Sequence, residues 1–317
     1  MAIREFALIR RYFAGLGGGS DHLVLGVGDD CALIDPPPGC RLAVTVDTLV
    51  EGIHFQPGCE PGALAGRALR LNLSDLAAMG ADPLGFLLAL TLPAADEAWL
   101  DAFSRGLAAD AERFACPLVG GDTTRGPLAI TITAMGAVPR GQALTRSGAS
   151  AGDYLYVTGT LGDSRGALAA LAADGSGGGE LAERFWRPEP RLAAGRLLRE
   201  FASAALDVSD GLAQDVGHIA VASGLACRVE VASLPLSAAL VAAYGIDTAR
   251  QWALTGGEDF ELCFTVPPSR AGAMEQVLAA HGHRVTRIGA MVDGQGVVCV
   301  DEQGAALTLE RAGYAHF

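Results

Sequence analysis

The sequence predicts an α/β protein of two domains, each built on a mixed sheet. The chain has 317 residues, which is enough for two domains of ordinary size. Half of the residues are hydrophobic, so each half of the chain can bury a core. Strand-like and helix-like patterns occur in both halves, and this mixture is typical of α/β domains with mixed sheets.

In the first half, alternating or apolar runs indicate strands, and helical periodicity fills the segments between them. The predicted strands are Leu42–Val46, Phe86–Leu92 and Leu128–Val138. The predicted helices are Ala63–Met79, which Gly80 and the Asp82-Pro83 pair end, and Glu97–Phe114. A turn-rich stretch over 139–153 follows, and we place the domain boundary between residues 140 and 141.

The second half shows the same mixture of patterns. Its predicted strands are Tyr154–Thr158, Ala226–Val231, Leu262–Val266, Arg284–Ala290 and Val297–Asp301. Its predicted helices are Arg165–Ala173, Pro190–Ala202 and Asp210–Ser223. The glycine-rich segment Asp174–Gly179 is interpreted as a flexible loop.

Charge and composition exclude several classes of protein. The net charge of −13 argues against a general nucleic-acid binder, which needs a basic face. All 23 basic residues are arginine, and the chain has no lysine. This absence excludes the P-loop and protein-kinase mechanisms, which place a lysine on the nucleotide phosphates, and also Schiff-base chemistry. An ATP-using protein of this composition must bind the nucleotide in another way.

The chain carries no sign of membrane insertion or export. Its N-terminus, MAIREFALIRRYF, has charges among the apolar positions, and no segment approaches the roughly 20 apolar residues of a membrane span. The seven cysteines are scattered without a C-x-x-C pair, which fits reduced thiols that serve mostly as small core residues. We therefore expect a soluble, cytoplasmic protein with no membrane partner.

Aspartates recur beside glycine, serine and threonine at predicted strand ends and loop tips. They are Asp29-Asp30, Asp47, Asp75, Asp122, Asp207 and Asp210. Carboxylates in such positions suit magnesium, and several of them around one polyphosphate require more than one cation to limit repulsion. Each motif also has a purely structural interpretation, since Asp-Gly pairs are ordinary in turns, Asp210 suits a helix N-cap, and Asp75 fits a helix surface.

Four further positions are candidates for substrate contacts. Arg146 lies in the turn between the halves and offers a planar fork to phosphate oxygens, although it could be a solvated loop arginine. The Gly120-Gly121 pair would let backbone N–H groups approach a phosphate closely. His54 follows a strand and is equally consistent with a packed or exposed histidine. The Glu258-Asp259 pair precedes a buried strand, where it could simply form a turn.

The motifs together resemble those of the thiamine-monophosphate kinases over nearly the whole chain, Glu5 to Phe317. The blocks that carry the resemblance are GVGDDCALI, VDTLVEGIHF, NLSDLAAMGADP, GGDTTRGP, LTRSGASAGD, YVTGTLGDS, DVSDGLAQD, GGEDFELCFTV and the terminal GYAHF. The resemblance implies a fold similar to aminoimidazole ribonucleotide synthetase, whose relatives bind ATP without a P-loop. It also implies a homodimer in which the first domains, residues 1–140, bind ATP and magnesium and share a barrel. The second domain, residues 141–317, is implied to close over the site and complete it.

The resemblance also assigns roles to individual residues. The implied magnesium ligands are Asp30, Thr45, Asp47, Asp75, Asp122, Asp207 and Asp210. The implied ATP contacts are Gly121, Asp122, Arg146 and Ser209, of which Asp122 and Arg146, with Asp210, are the expected catalytic residues. The implied contacts to thiamine monophosphate are His54, Glu258 and Tyr314. One position departs from the family pattern, because Val46 stands where many relatives have a hydroxyl residue.

The function that the resemblance implies is transfer of the ATP γ-phosphate to thiamine monophosphate, with several magnesium ions. Two alternatives stay open at this point. One is another member of the same group, although the chain lacks the lysine and reactive cysteine near Gly15–Asp21 of a selenophosphate synthetase and the terminal cysteine of the hydrogenase-maturation relative. The other is a non-catalytic protein that binds nucleotides or divalent ions.

Overall fold

The computed structural model describes residues 5–174, 179–309 and 313–314. The chain divides into two compact units. The first unit comprises Met1–Leu76 and Ala81–Gly141, and the second comprises Ala77–Gly80 and Gln142–Phe317. Each unit contains one main sheet with parallel and antiparallel neighbours, so the predicted fold class of α/β domains with mixed sheets is confirmed. The separate roles predicted for the two domains stay predictions.

The first unit is a four-stranded sheet with two long helices and a small hairpin. Its elements are α1 (Glu5–Tyr12), β1 (Leu23–Leu25), β2 (Leu33–Ile34), β3 (Cys40–Val50), α2 (Pro61–Ala78), β4 (Asp82–Leu92), α3 (Glu97–Arg113), β5 (Leu118–Arg125) and β6 (Ala129–Pro139). The strand order is β3-β6-β4-β5, in which β4 and β5 are parallel and the other pairs are antiparallel. Strands β3 and β5 therefore form its edges.

Helix α2 packs on one face of this sheet. Alternate residues of β6, such as Ile132 and Ala134, are fully buried, and a Cβ added to Gly136 on the same face would lie 3.1 Å from Cδ2 of Leu76. Thr45 is in register with Ala134, which places the odd-numbered residues of β3 on this face as well. On the opposite face, Leu42, Val44, Val46 and Thr48 of β3 are exposed.

The second unit is a six-stranded sheet with helices. Its elements are β7 (Tyr154–Thr158), α4 (Asp163–Asp174), α5 (Gly179–Trp186), α6 (Leu192–Leu198), β8 (Ala204–Asp207), α7 (Leu212–Ser223), β9 (Ala226–Glu230), a 3₁₀ turn (Val231–Ser233), α8 (Ala238–Tyr244), α9 (Ile246–Thr255), β10 (Leu262–Val266), α10 (Pro268–Ala280), β11 (Val285–Val292) and β12 (Gly296–Val300). The strand order is β12-β9-β11-β7-β10-β8, with β12 and β9 parallel and the rest antiparallel.

Two apolar clusters hold the second unit together. The larger one joins the sheet to α7, through residues such as Leu155, Leu206, Val216 and Ile219. The smaller one joins α4, α5, α8 and α9.

Cys116, Cys227, Cys263 and Cys299 are buried and all seven cysteines are free, as predicted for core thiols. In the part of the chain that is described, no helix combines the length and apolar character that a membrane span needs.

Several element bounds differ from the predicted ones. The helix predicted at Pro190–Ala202 is shorter, Leu192–Leu198, and the strand predicted at Leu42–Val46 extends over Cys40–Val50. Most of the predicted loop Asp174–Gly179 lies outside the described residues, and its last residue begins α5. Some elements were not predicted, because they are short or lack clear periodicity: strands β1, β2, β5 and β8 and helices α1, α5, α8, α9 and α10.

Candidate active site

Thr45, Asp47 and Asp75 form a cluster of oxygen donors in the first unit. Thr45 and Asp47 are two residues apart on β3, so they share the face that α2 covers. Asp75 lies on α2, and its Oδ2 accepts a hydrogen bond from the Thr45 hydroxyl. Asp47 lies inside β3 and not at the end of a strand as predicted, whereas Asp75 lies in α2, within the helix predicted at Ala63–Met79.

The electrostatics of this cluster favour a cation. Burial, together with the charge of Asp75, raises the pKa of Asp47 to about 6. Across the described residues no group of three or more His, Cys, Asp or Glu side chains is arranged to hold a metal, so this cluster supplies two carboxylates and a hydroxyl. Magnesium usually takes one or two carboxylates and completes its six oxygens with waters and phosphate. The donor set therefore fits magnesium.

Asp30 and Asp122 are exposed carboxylates of the same unit. Asp30 lies in the turn between β1 and β2, where its backbone N–H donates to Oδ1 of Asp29 at 2.9 Å. Asp122 lies within β5, in register with Ala89 of β4, and not at a strand end as the sequence suggested. Both side chains are accessible to a ligand.

Gly121, beside Asp122, has a structural reason to be glycine. Its φ is +152°, and a Cβ there would lie 1.9 Å from the carbonyl oxygen of Leu88. The close approach of β5 to β4 therefore excludes any side chain at this position. Since strand packing accounts for the glycine, the predicted approach of a nucleotide phosphate to Gly121 stays a prediction.

His54 is held in a defined orientation by the loop after β3. The Val50 N–H donates to His54 Nδ1 at 3.0 Å, and the His54 N–H donates to the Val50 carbonyl at 2.9 Å. Because Nδ1 is an acceptor, a neutral ring carries its proton on Nε2, which then acts as a donor. The predicted location of His54 in a loop after a strand is confirmed.

The same loop borders a cavity of about 280 Å³ within the first unit. Two carboxylates, Glu51 and Asp96, and two aromatic rings, Phe55 and Trp99, contribute to its wall. Leucines of α2, β4 and the β5–β6 turn form much of the remainder. Aromatic faces and carboxylates both attract an organic cation, so this cavity has the character of a site for one.

In the second unit, Asp207, Ser209 and Asp210 lie on the turn from β8 into α7. Asp207 is the last residue of β8 and is 7% exposed. The N-cap of α7 is Gly211 and not Asp210, so the interpretation of Asp210 as an N-cap was wrong. The φ of Gly211 is +128°, and a Cβ there would lie 3.0 Å from the backbone of Thr255.

Asp215, in the first turn of α7, bonds to the backbone of this turn. Sequence reasoning did not single it out. Its Oδ2 accepts hydrogen bonds from three successive N–H groups, those of Ser209 at 3.0 Å and of Asp210 and Gly211 at 3.1 Å. Burial and the charge of Asp210 raise the pKa of Asp215 and the three hydrogen bonds lower it, and the net pKa is about 7. The only signal in the sequence was its place at the end of the block DVSDGLAQD.

The loop that carries Glu258 packs against the same turn. The Glu258 N–H donates to the Ser209 carbonyl at 2.7 Å, and a Cβ on Gly257 would lie 2.8 Å from that oxygen. Glu258 has a φ of +60°, which is an uncommon conformation for a residue with a side chain. The hydroxyl of Ser164 donates to the Glu258 carbonyl at 2.6 Å. Glu258 is thus held in a strained backbone conformation by bonds on both sides.

Tyr314 is joined to the turn as well. Its N–H donates to the Asp210 carbonyl at 2.9 Å, and Gln214 donates both to the Tyr314 carbonyl and to Oδ2 of Asp210, each at 3.1 Å. The Tyr314 residue is half exposed. The structure therefore brings together Ser209, Asp210, Glu258 and Tyr314, four of the predicted site residues.

Arg146 lies at the other end of α7. The hydroxyl of Ser223, the last residue of this helix, donates to the Arg146 carbonyl at 3.5 Å and accepts from the Ala149 N–H at 3.2 Å. Helix α7 has 12 residues, so about 18 Å of helix separates this backbone from Asp210. Arg146 is exposed, and its charge is available to an anion at that end.

Comparisons with known proteins agree with this fold and these motifs. The family model described as AIR synthase related protein, N-terminal domain, matches residues 28–138, and the corresponding C-terminal domain model matches residues 150–302. The thiamine-monophosphate kinase of Escherichia coli K12 is 48% identical over 322 aligned residues, which cover 100% of this chain and 99% of that protein. The chain belongs to the thiamine-monophosphate kinase family.

Solved structures of this family have the same fold. The thiamine-monophosphate kinase of Stenotrophomonas maltophilia K279a is 46% identical, with a TM-score of 0.87, and the match covers 97% of this chain and 99% of that one. AaThiL, solved in complex with AMPPCP and TMP, is 31% identical, with a TM-score of 0.79 over 100% of both chains. The fold implied by the motifs, similar to aminoimidazole ribonucleotide synthetase, is confirmed.

Proposed function

We propose that this chain transfers the γ-phosphate of ATP to the phosphate of thiamine monophosphate, giving thiamine diphosphate and ADP. The observation that carries the proposal is full-length identity of 48% to a thiamine-monophosphate kinase. The family member solved with AMPPCP and TMP supports ATP and thiamine monophosphate as the two substrates. The absence of lysine is compatible with this proposal, because the family motifs contain no P-loop.

We propose that Thr45, Asp47 and Asp75 hold magnesium in the first unit. The charge of Asp75 helps to raise the pKa of Asp47, and a cation would stabilise both carboxylates in their ionised form. The Thr45 hydroxyl adds a third oxygen ligand of the kind that magnesium prefers. Asp30 and Asp122 are further proposed ligands of this unit, and Asp207 and Asp210 are those of the second unit. Bound magnesium would neutralise phosphate charge and so reduce the repulsion between donor and acceptor.

The residues of the chain act on this reaction by position and charge. The acceptor phosphate is largely ionised near neutral pH, since its second pKa is about 6, so no strong general base is needed. The carboxylates fix the place of the phosphates, and no covalent intermediate with the protein is required. Alignment and electrostatic stabilisation can supply most of the rate enhancement of a phosphoryl transfer.

We propose that Arg146 binds the nucleotide. Its guanidinium is an exposed, permanently charged fork on a loop that Ser223 anchors. The length of α7 that separates it from Asp210 favours a contact to a part of the nucleotide other than the transferred phosphate. A direct catalytic role for Arg146 stays a prediction that this geometry does not favour.

We propose that His54, Glu258 and Tyr314 contact thiamine monophosphate. The ring system of thiamine is a heteroaromatic cation, and the cavity next to the His54 loop offers the carboxylate of Glu51 and the ring of Trp99. In the second unit, Glu258 carries a negative charge that attracts an organic cation, and Tyr314 can stack on a ring, a contact of about 0.5–2 kcal/mol. The backbone N–H of each of these residues donates to a carbonyl: that of His54 to Val50, that of Glu258 to Ser209 and that of Tyr314 to Asp210.

The homodimer and the cytoplasmic location are also proposals. Strand β3 is an edge strand, and Leu42, Val44 and Val46 are 48%, 58% and 58% exposed on one of its faces. An exposed apolar row on a sheet edge is a typical interaction surface, and we propose that a second copy of the chain covers it. The seven free cysteines fit a reducing compartment.

A comparison of acceptors tests the proposed reaction. The full chain is incubated with ATP and magnesium and with thiamine monophosphate, thiamine or no acceptor, and both ADP and the thiamine product are measured. We expect thiamine diphosphate with the monophosphate alone. ADP without that product would indicate another acceptor, and no ADP with any acceptor would favour a nucleotide-binding protein without kinase activity.

A further inference from the structure

The turn between β8 and α7 presents three successive backbone N–H groups, those of Ser209, Asp210 and Gly211, at the start of a helix. Such a concave row of amides beside a helix N-terminus is a common binding site for phosphate groups. A protein that handles ATP would be expected to use it in that way. In this chain the row is already occupied by a side chain of the protein itself.

The occupant is Asp215, in the first turn of α7. One carboxylate oxygen accepts from all three amides, at 3.0, 3.1 and 3.1 Å, and the residue is 3% exposed. The three bonds are charge-assisted when Asp215 is ionised, and the helix N-terminus favours that ionised form. A phosphate oxygen cannot bind the same N–H groups while Asp215 holds them.

The carbonyl groups of the same turn are also bonded. The Ser209 carbonyl accepts from the Glu258 N–H at 2.7 Å, and the Asp210 carbonyl accepts from the Tyr314 N–H at 2.9 Å. The amides on one side and the carbonyls on the other are therefore fixed together. By fixing the amides, Asp215 also fixes the direction of the carbonyls. These carbonyls accept hydrogen bonds from Glu258 and Tyr314, two proposed substrate-binding residues.

We propose that Asp215 is a positioning residue that orients the Asp207–Asp210 turn for cation binding. Its carboxylate occupies the three backbone N–H groups that could otherwise bind a phosphate. This inference rests on the proposed function, because it assigns Asp207 and Asp210 to the cation. It implies that the nucleotide reaches this turn through side chains and not through backbone amides. Asp215 touches no reacting atom in this account.

The test compares Mn²⁺ affinity and kinetics for the wild-type chain and three variants. Asp215→Ala removes the acceptor, and Asp215→Asn keeps an oxygen but loses the charge. The matched control is Asp163→Ala, since Asp163 is 2% exposed and accepts from Thr160 and Ser237 in the same unit. Mn²⁺ binding to the full chain is measured from the electron paramagnetic resonance signal of the free ion. This measurement does not depend on turnover.

We expect Asp215→Ala to weaken Mn²⁺ binding about tenfold or more, as loss of a residue that supports metal ligands does. The Mg²⁺ concentration for half-maximal rate should rise by a similar factor. Asp215→Asn should lie between wild type and Asp215→Ala. Asp163→Ala should lose thermal stability but stay within about twofold of wild type in both measurements.

Equal Mn²⁺ affinity in Asp215→Ala and wild type would overturn the inference. So would a loss of Mn²⁺ affinity in Asp163→Ala as large as that in Asp215→Ala, or a wild-type chain that does not bind Mn²⁺. If Asp215→Ala does not fold, Asp215→Asn decides, and unchanged affinity there would have the same meaning. A wild-type chain that makes no thiamine diphosphate would refute the proposed reaction instead. Its Mn²⁺ affinity relative to the variants would still test the role of Asp215.

Discussion

At the scale of single residues, the carboxylates of Asp47 and Asp75 form a partly buried pair in the first unit. Asp47 shares a sheet face with Thr45, whose hydroxyl donates to Asp75, and the pKa of Asp47 lies near 6 because of burial and the charge of Asp75. Both carboxylates are stable together only when a proton or a cation offsets one charge. This is the physical basis for assigning magnesium to the cluster.

Asp122→Asn should remove activity without removing the fold. Asp122 is exposed on β5, so an isosteric amide should change the melting temperature little, while loss of the charge should lower kcat by roughly a thousandfold. Asp35→Asn, at another exposed aspartate of this unit, serves as the control and should keep wild-type kcat. Near-normal turnover in Asp122→Asn would exclude Asp122 as a ligand.

Arg146→Ala should affect ATP binding more than chemistry. Because the Arg146 backbone lies at the far end of α7 from Asp210, we expect KM for ATP to rise about tenfold and kcat to change less than about threefold. Steady-state kinetics with ATP varied at saturating thiamine monophosphate measure both. A large fall in kcat at unchanged KM would instead place the guanidinium at the transferred phosphate.

His54→Ala and Tyr314→Phe should affect the thiamine substrate. Removal of the His54 ring should raise KM for thiamine monophosphate and leave KM for ATP unchanged. Tyr314→Phe keeps a ring that can stack, so it should be close to wild type, whereas Tyr314→Ala should raise the same KM. Unchanged KM for thiamine monophosphate in His54→Ala and Tyr314→Ala would remove both residues from the substrate site.

At the scale of elements, a buried ion cluster holds the loop before β10. The carboxylate of Glu261 accepts from Arg191 at 2.5 and 2.6 Å, from Arg184 at 2.9 Å and from the Thr158 hydroxyl at 2.6 Å. Burial alone would raise the pKa of Glu261, but the hydrogen bond and charge of Arg191 and the charge of Arg184 outweigh it and lower the pKa below 4.5. The cluster fixes the strand that follows Glu258.

Glu261→Gln should destabilise the second unit in a pH-dependent way. Removing one partner of a buried pair costs about 3 kcal/mol or more. Because the pKa of Glu261 is lowered in the folded state, its stabilisation is complete above the ordinary value of 4.5 and is lost as pH falls through the folded-state pKa. The difference in melting temperature between wild type and variant should therefore be large at pH 7 and shrink below about pH 4.

Glu183→Gln is the matched control for that series. Glu183 pairs with Arg187 four residues later, and both side chains are more than half exposed, so the substitution should change stability by less than about 0.5 kcal/mol at any pH. A Glu261→Gln variant that is equally stable, or whose deficit grows at low pH, would contradict the account of the cluster.

The sequence predicted the central elements well and the connecting ones poorly. Strands β7 and β10 occur at the predicted bounds because both are apolar runs flanked by turn residues. Strand β5 was missed because its sequence, LVGGDTTR, has two glycines and no alternation. Its strand conformation depends on pairing with β4, and the tight contact at Gly121 is visible only once that pairing is known.

The site was predictable to a similar extent. Motifs named Ser209, Asp210, Glu258 and Tyr314, and the fold brings them to one turn. The role of Asp215 was not predictable from the residues, because a helical aspartate near an N-terminus ordinarily needs no special explanation. Three bonds to one carboxylate oxygen are a property of the folded turn.

At the scale of the whole molecule, the exposed row on β3 predicts self-association. Val44→Glu places a charge in the centre of this row and should convert a dimer to a monomer, as measured by light scattering after size-exclusion chromatography. Val298→Glu is the control, since Val298 is 43% exposed on β12, an edge strand of the second unit. A monomeric wild type, or a Val44→Glu variant that stays dimeric, would contradict the proposed interface.

The most direct test of the proposed reaction follows the transferred group itself. The full chain is incubated with magnesium, thiamine monophosphate and ATP that carries heavy oxygen at the three non-bridging positions of its γ-phosphate. The masses of the products are then measured by mass spectrometry. Direct transfer predicts thiamine diphosphate that contains the labelled phosphate, together with unlabelled ADP. Label that appears only in inorganic phosphate, with thiamine monophosphate unchanged, would contradict the account.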